Sequence, residues 1–431
     1  MSVLKVHYFL WFGSLSGIMP FVAVFATQHS VANTEDIGIL YFVLPFIVSI
    51  FKPLFCSIAD RNNSHKKVLI FSIIATILGY GLLLLIIYVN FGVFSWYMFC
   101  ILILIANSGQ GIVISLNDYL VMKEVTRLNR NYGAYRVWGT VGWGGFGVIA
   151  GIVNQYITKL PFLLPGLLMF RKPLSVVLKA PFKASWKAVV HVFHIFRNNP
   201  SLIQYIVIVL IFGALTAFHW SYYFIYLEKI RGNDSLLMGL ALFVESFAGE
   251  LPLFIVANVI LRYCGPSMSL NISLAAFAFR YFIYGYVFTV GTTYWDILLV
   301  EVVQGLTFGL FYTVMTDLAQ HYATQENHRI LAAREAIKEM ADKDTEAVDE
   351  TIAVNSVDDL TSRSYATLQG IMSGAFEGIG LGIGALAGGY LINRIDVFAI
   401  WKVGAFLALF AIIFNVSVEA IKYVYNKRHV K

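Results

Sequence analysis

The chain has 431 residues, of which 58% are hydrophobic and only 13% charged, with a net charge of +6 and a mean hydropathy of +0.73. A water-facing surface needs about a quarter of its residues charged, so a soluble enzyme, a nucleic-acid binder and a disordered scaffold all fit poorly. The basic residues are scattered among the loops instead of forming a patch, which argues against nucleic acid as a partner. Cys56, Cys100 and Cys264 stand far apart, odd in number and without metal-ligand spacing, so neither a disulfide framework nor a zinc site is expected. No cofactor and no metal are expected.

Apolar runs of about 20 residues, enough for a helix to cross a bilayer, repeat along the chain. They fall near 6–27, 37–58, 68–89, 95–121 and 132–153, then near 201–226, 236–259, 268–289, 293–319, 365–391 and 397–421. Lys5 leads into the first run with no small-residue cleavage site, so that span is expected to act as its own uncleaved signal. Between the fifth and sixth good runs, Asn154 to Phe170 is just long enough to cross, with Pro161 and Pro165 interrupting its apolar core. Charge favours that crossing. The stretch 171–200 carries Arg171, Lys172, Lys179, Lys183, Lys187 and Arg197 and no acid, and basic loops stay on the cytoplasmic side. Twelve nominal crossings, the sixth short or missing, with both termini cytoplasmic, are therefore expected. The rival is an eleven-span product.

The expected division is an N-terminal bundle over 1–170, a cytoplasmic linker over 171–200 and a C-terminal bundle over 201–431. The linker holds an amphipathic stretch, Ala184 to Phe196, that would lie along the membrane surface. Its His191 and His194 are spaced for a metal but lack an accompanying carboxylate or Cys, so a surface helix is the preferred reading. Residues 323–364 carry ten acids against five bases. Good helix formers from Ile330 to Ile352 predict a cytoplasmic helix there, followed by a polar tail.

Two spans are crowded with glycine. The fifth has Gly133, Gly139, Gly142, Gly144, Gly145, Gly147 and Gly151, and the eleventh has Gly370, Gly374, Gly378, Gly380, Gly382, Gly384, Gly388 and Gly389. With a sixth crossing counted, they occupy the same place in two six-span halves. Small residues let helices approach closely, and parallel six-helix repeats moving about a midplane site are the architecture of a class of secondary transporters.

A charge within a span costs roughly 2.5–3.5 kcal/mol on insertion scales and so needs a reason. Asp118 and Arg136 flank the turn between spans four and five, where antiparallel helices can bring them level. In the second half, Glu245 and Glu250 lie on span eight, Arg280 on span nine, Glu301 on span ten and Glu377 on span eleven. By depth, Glu245, Arg280 and Glu301 can meet. Such a group either moves a proton as the Arg shifts relative to the acids or forms a static buried ion pair. Asn107, Gln110, Asn117, Trp143, His219, Trp220 and Gln304 add polar and aromatic groups suited to a small polar solute or to helix contacts. No acid stands at helical spacing from His219 to orient it.

Residues 56–67, with Asp60 and Arg61 followed by Lys66 and Lys67, resemble the loop motif Gly-x-x-x-Asp-Arg-x-Gly-Arg-Lys of the major facilitator superfamily, with Cys56 and Asn63 in place of its glycines. The resemblance implies a gating role for Asp60 and Arg61. The segment Tyr132-Gly-Ala-Tyr-Arg136-Val-Trp138-Gly-Thr-Val-Gly142-Trp143-Gly144 resembles the span-five signature of oligosaccharide:proton symporters of the lactose permease type and of nucleoside:proton symporters. That likeness implies Asp118, Arg136 and Trp143 as substrate residues; from the polar groups in the spans, Asn107 and Gln110 are added to them. It also implies Glu245 or Glu250, Arg280 and Glu301 as proton-coupling residues; the family's His near the span-ten acid has no match. The closest likeness is to the animal major facilitator superfamily domain-containing protein 6 group. It is carried by Leu237-Met-Gly, Glu250-Leu-Pro, Arg280, Glu301-Val-Val-Gln304-Gly305-Leu-Thr307-Phe, and Ala366-Thr-Leu-Gln369-Gly370 through Gly389.

The sequence thus predicts an all-α, polytopic, multi-pass membrane protein of two six-helix bundles. It is expected to be a monomeric, non-enzymatic secondary transporter in the lipid bilayer, moving a small sugar- or nucleoside-like solute by alternating access with protons. The alternative is a non-transporting receptor or scaffold that keeps the fold.

Overall fold

The computed structural model describes residues 3–61, 64–89, 92, 94–128, 133–156, 200–341, 368 and 371–429. The basic linker, its His191 and His194, the short sixth crossing and the acidic tail beyond Ala341 lie outside the described residues. Where no water can satisfy the backbone, a helix is the only open-ended structure that pairs its own amides, and the described chain is built accordingly. Its helices are α1 (Val3–Ser16), α2 (Val22–Gln28), α3 (Thr34–Arg61), α4 (His65–Tyr88), α5 (Phe94–Leu128) and α6 (Gly133–Tyr156), then α7 (Pro200–Arg231), α8 (Ser235–Val244), α9 (Leu251–Phe282), α10 (Tyr294–Glu301), α11 (Phe311–Ala341), α12 (Leu381–Arg394) and α13 (Ala399–His429). Among the described residues, ten helical stretches are long and apolar enough to cross a membrane. One of them, Ser235–Val287 with 53 residues, turns back on itself at Gly265, whose φ of 74° is a conformation that side chains disfavour. Pro266 follows and cannot continue a helix. The two runs expected at 236–259 and 268–289 are therefore joined by almost no loop.

Of the helix expected over Ile330 to Ile352, the part up to Ala341 is helical and continuous with the preceding span, and the rest lies outside the described residues. The span-ten helix α11 runs on unbroken from Phe311 to Ala341, because no Pro or Gly interrupts it and its polar residues favour a helix once it is nucleated.

Four loops at one end of the molecule start their helices with side-chain caps. Asn33 accepts from the Asp36 amide at 2.8 Å, Asp234 from Leu237 at 3.1 Å, Thr293 from Asp296 at 3.4 Å and Asp396 from Ala399 at 2.7 Å. Each satisfies a donor that the first helical turn leaves bare. At this end the two halves meet. On one side α6 packs on α8: a Cβ at Gly151 would stand 2.5 Å from the Ser235 carbonyl, and one at Gly239 2.5 Å from the Gly147 carbonyl. On the other side α3 packs on α12, where a Cβ at Gly389 would stand 2.4 Å from the Thr34 carbonyl. Only glycine permits these approaches.

Following α12 away from that end, Gly382 still touches Phe42 of α3, but Gly378 and Gly374 in the preceding turns have nothing within 4 Å. The halves are closed together at one end and part toward the other, leaving a cleft between them.

Candidate functional site

Arg280 of α9 is completely buried, at 0% exposure. Its Nη2 donates to Glu245 Oε1 at 2.7 Å and to Glu301 Oε2, its Nη1 donates to Gln304 Oε1, and its Nε donates to the Tyr284 hydroxyl at 2.8 Å. Glu301 Oε1 in turn accepts from the hydroxyls of Tyr223 and Tyr284. Both oxygens of Glu301 are thus held. Trp401 closes the cluster, its ring 5.1 Å from those of Tyr281 and Tyr284.

Glu245 is held differently. Its Oε1 is shared between Arg280 and His219, whose Nε2 is 2.6 Å away and also 3.2 Å from Arg280 Nη2. One nitrogen cannot donate to the carboxylate and accept from the guanidinium at once. Either His219 carries the proton at Nε2 and gives it to Glu245, or Glu245 carries it and His219 accepts. The other ring nitrogen, Nδ1, is buried without a partner among the described residues, so it holds neither arrangement in place. One guanidinium between two carboxylates leaves a single negative charge, which one proton balances. His219, Glu245 and Glu301 have metal-ligand chemistry and lie within 4.8 Å of one another. Arg280 Nη2, however, is hydrogen-bonded to both acids, and a cation placed among them would meet its full positive charge.

The backbone around these groups departs from the regular helix. Wide π-type turns span Glu245–Glu250, Gly305–Leu310 and Gly374–Gly380. Each inserts a residue into its helix, and such insertions concentrate at functional sites. The first carries Glu245 and Glu250, the second follows Gln304, and the third carries Glu377.

A model of the MFS_1 like family matches residues 1–336. The chain belongs to that family. Among curated proteins, the maltose permease of Geobacillus stearothermophilus is 22% identical over 420 residues, covering 95% of this chain and 91% of the permease. An uncharacterized transporter, YwbF, of Bacillus subtilis strain 168 is 21% identical over 418 residues, covering 95% and 90%. Among solved structures, the D323A mutant of the nucleoside transporter NupG superposes with a TM-score of 0.69 at 15% identity, covering 96% of this chain and 98% of that one. A POT family transporter in complex with a peptide conjugate gives a TM-score of 0.60 at 14% identity, covering 99% and 96%. The all-α major facilitator fold is shared with both, and the family is one of transporters, not enzymes.

In this major facilitator chain the sequence-named residues are brought together only in part. Glu245, Arg280 and Glu301 come together directly. Glu250 stands beside Gln304 and feels the charges of both Arg280 and Arg136. Arg136, on α6, is exposed and lays its guanidinium over the Phe12 ring at 4.3 Å. Asn107 and Gln110 lie deeper in the first half: Asn107 Nδ2 donates to the Ile103 carbonyl at 2.9 Å, and Gln110 accepts from Tyr80 at 3.2 Å. Trp143 is half-buried against the core. Asp118 falls on α5 and Asp60 and Arg61 on α3, their side chains lying outside the described residues.

Sequence reasoning missed the roles of Tyr223, Tyr284 and His219 in the cluster. No acid lies at helical spacing from His219, but its partner comes from a neighbouring helix, α8's extension, which spacing along one helix does not reveal.

Proposed function

We propose that this chain is a secondary transporter that moves a small, sugar- or nucleoside-like solute through the cleft by alternating access, coupled to protons. The transporter class follows from the family. The observation that carries the proton coupling is the shared position of Glu245 Oε1 between His219 and Arg280. A proton on Glu245 would cancel one of the two ion pairs on Arg280 and leave the guanidinium to Glu301. Because Gln304 and Glu250 adjoin the same group, that change would be felt at the cleft surface. In this reading Glu301, with both oxygens satisfied, is the fixed anion and Glu245 the proton carrier.

Arg136, Trp143 and Asp118, with Asn107 and Gln110 behind them, are proposed to form the first half's side of the solute site, and Glu250 the second half's. The names of the maltose permease and the nucleoside transporter support a hydroxylated solute. The likeness to the protein 6 group of animal major facilitators is kept as the finer family reading. The bundles at 1–170 and 201–431, joined by a cytoplasmic linker over 171–200, are proposed to act within one chain as a monomer. The charge cluster and the contacts between halves described above all come from a single chain. With both termini cytoplasmic, the cleft opens toward the basic linker, and a Cys at Ser175 would label only in permeabilised cells. Asp60 and Arg61, at the same end, would serve as the gate.

The test is uptake of radiolabelled maltose and uridine into proteoliposomes with and without an inward proton gradient. Gradient-stimulated uptake of either, lost in Glu245→Gln, is the expected result. Uptake that ignores the gradient would remove the coupling. No uptake, in a protein whose variants all keep cellular function, would favour the receptor or scaffold reading.

A further inference from the structure

Trp220 occupies an unusual position. On α7, Gly213 packs on the Phe376 and Gly380 backbone and a Cβ at Gly384 would stand 2.8 Å from Ala217 Cβ. One turn beyond, Phe224 meets Phe21 of the first half with ring centroids 4.9 Å apart, and Glu228 accepts from Gln28 at 2.7 Å. The first two contacts lie within the second half, and it is through Phe224 and Glu228 that this edge of α7 turns to the other half. Trp220 lies on it, directly next to the Phe21–Phe224 contact on the side where the halves part, and it is 48% exposed. Phe308 and Phe376 back the indole at centroid distances of 5.5 and 6.4 Å. Their helices carry the wide turns Gly305–Leu310 and Gly374–Gly380.

At the seam between α6 and the extension of α8 stand two opposite charges, Arg136 on the first half and Glu250 on the second. The contacts of α6 on the second half step along regularly: Gly151 on Ser235 and Gly239, Gly147 on Leu242, Gly144 on Ser246. Beyond Ser246 the wide turn Glu245–Glu250 carries Glu250 on toward the end of α6 that holds Arg136, about two turns before Gly144. The Glu250 backbone also neighbours Gly309, next in sequence to Phe308, so the charged edge and the aromatic wall are continuous.

We infer that Trp220, backed by Phe308 and Phe376, is the stacking wall for a neutral, hydroxylated ring, whose hydroxyl edge is received by Arg136 and Glu250. The inference rests on the transporter reading above. A flat indole takes up the apolar face of a sugar or base. A carboxylate accepts hydroxyl protons while a guanidinium donates to hydroxyl oxygens. Arg136 and Glu250 together sum to zero charge, so a neutral solute bridging them leaves no charge uncompensated. A solute held by both halves also favours the state in which they approach.

The test uses the full-length protein in lipid nanodiscs, with binding of maltose, uridine and the acyclic polyol sorbitol measured by calorimetry. Maltose or uridine is expected to bind and sorbitol not, and the arm that binds identifies the ring as a pyranose or a nucleoside. Trp220→Ala should weaken binding roughly tenfold or more, while Trp220→Phe keeps it within about threefold; the melting profile of each variant confirms folding. Sorbitol binding as well as the rings, unchanged binding in Trp220→Ala, or no binding by either ring would each overturn the inference. Two-sided labelling of a Cys at Gly378, run in parallel, needs no solute. If labelling shows switching while the rings fail to bind, this inference falls and transport stands; if switching is absent, the transport reading itself falls.

Discussion

His219 Nε2 lies 2.6 Å from Glu245 Oε1, an imidazole and a carboxylate from different helices sharing one proton position against the Arg280 guanidinium. On the proposed coupling, that sharing would make His219 a proton relay partner. His219→Asn, which keeps a hydrogen-bonding group without a titrating one, is expected to fold and to bind solute with little change. Its gradient-driven uptake should fall roughly tenfold, a Brønsted-type loss at the low end of general acid–base effects. Uptake and equilibrium binding measured on the same preparation separate the two.

Among the described residues Arg280 is the one guanidinium hydrogen-bonded to both Glu245 and Glu301, so removing it alone strands them. Arg280→Met should destabilise the protein by about 3–5 kcal/mol, the usual cost of breaking a buried pair. The triple variant Arg280→Met with Glu245→Gln and Glu301→Gln should recover much of that loss while staying inactive. Thermal unfolding in detergent, followed by light scattering and intrinsic fluorescence, distinguishes them.

The closed end depends on backbone approach. At Gly389 a Cβ would meet the Thr34 carbonyl at 2.4 Å, and at Gly239 the Gly147 carbonyl at 2.5 Å. Gly389→Val and Gly239→Val should force that end apart and shift the population toward the opposite state. A Cys reporter at Gly378 should then label more slowly from the side that is open in the wild type.

A second polar cluster holds the far end of the C-terminal bundle without belonging to the cleft. Asn415, fully buried, donates to Asn271 Oδ1 at 2.8 Å and to Ser267 Oγ at 3.1 Å, and accepts from Gln204 at 2.6 Å. Asn415→Leu should leave those partners unsatisfied and cost about 1–3 kcal/mol. Solute affinity should be unaffected, as a melting curve paired with a binding isotherm would show.

How much of this could be read from the chain depended on the kind of signal. Arg280, Glu245 and Glu301 were legible because a charge is expensive in a span and their depths matched. The glycines of the fifth and eleventh spans were legible as close-approach surfaces, and Gly151 and Gly389 turn out to be contacts between halves. Tyr223 and Tyr284 were not legible, because a tyrosine in a span is ordinary until its hydroxyl is seen on Glu301. The wide turn at Glu245–Glu250 was also hidden: it rotates Glu250 relative to Glu245 beyond what regular helix spacing predicts. The helix from Ile330 was legible to Ala341, but not its continuity with the span before it. Polarity marked the end of the membrane span, and the helix simply continued past it.

The central claim, that the cleft is exposed to the two sides of the membrane in turn, is tested most directly by a single Cys at Gly378. There a Cβ meets nothing within 4 Å, and the position faces the parted helices α3 and α12. A membrane-impermeant maleimide would be applied separately to each side. A second protein would carry Gln28→His and Glu228→His as well, so that added zinc ties the closed end where those two side chains hydrogen-bond at 2.7 Å. The account predicts labelling from both sides, with labelling from the closed side abolished by zinc and restored by a chelator. Labelling from one side only, unchanged by the tie, would contradict alternating access and leave the chain a fixed membrane scaffold.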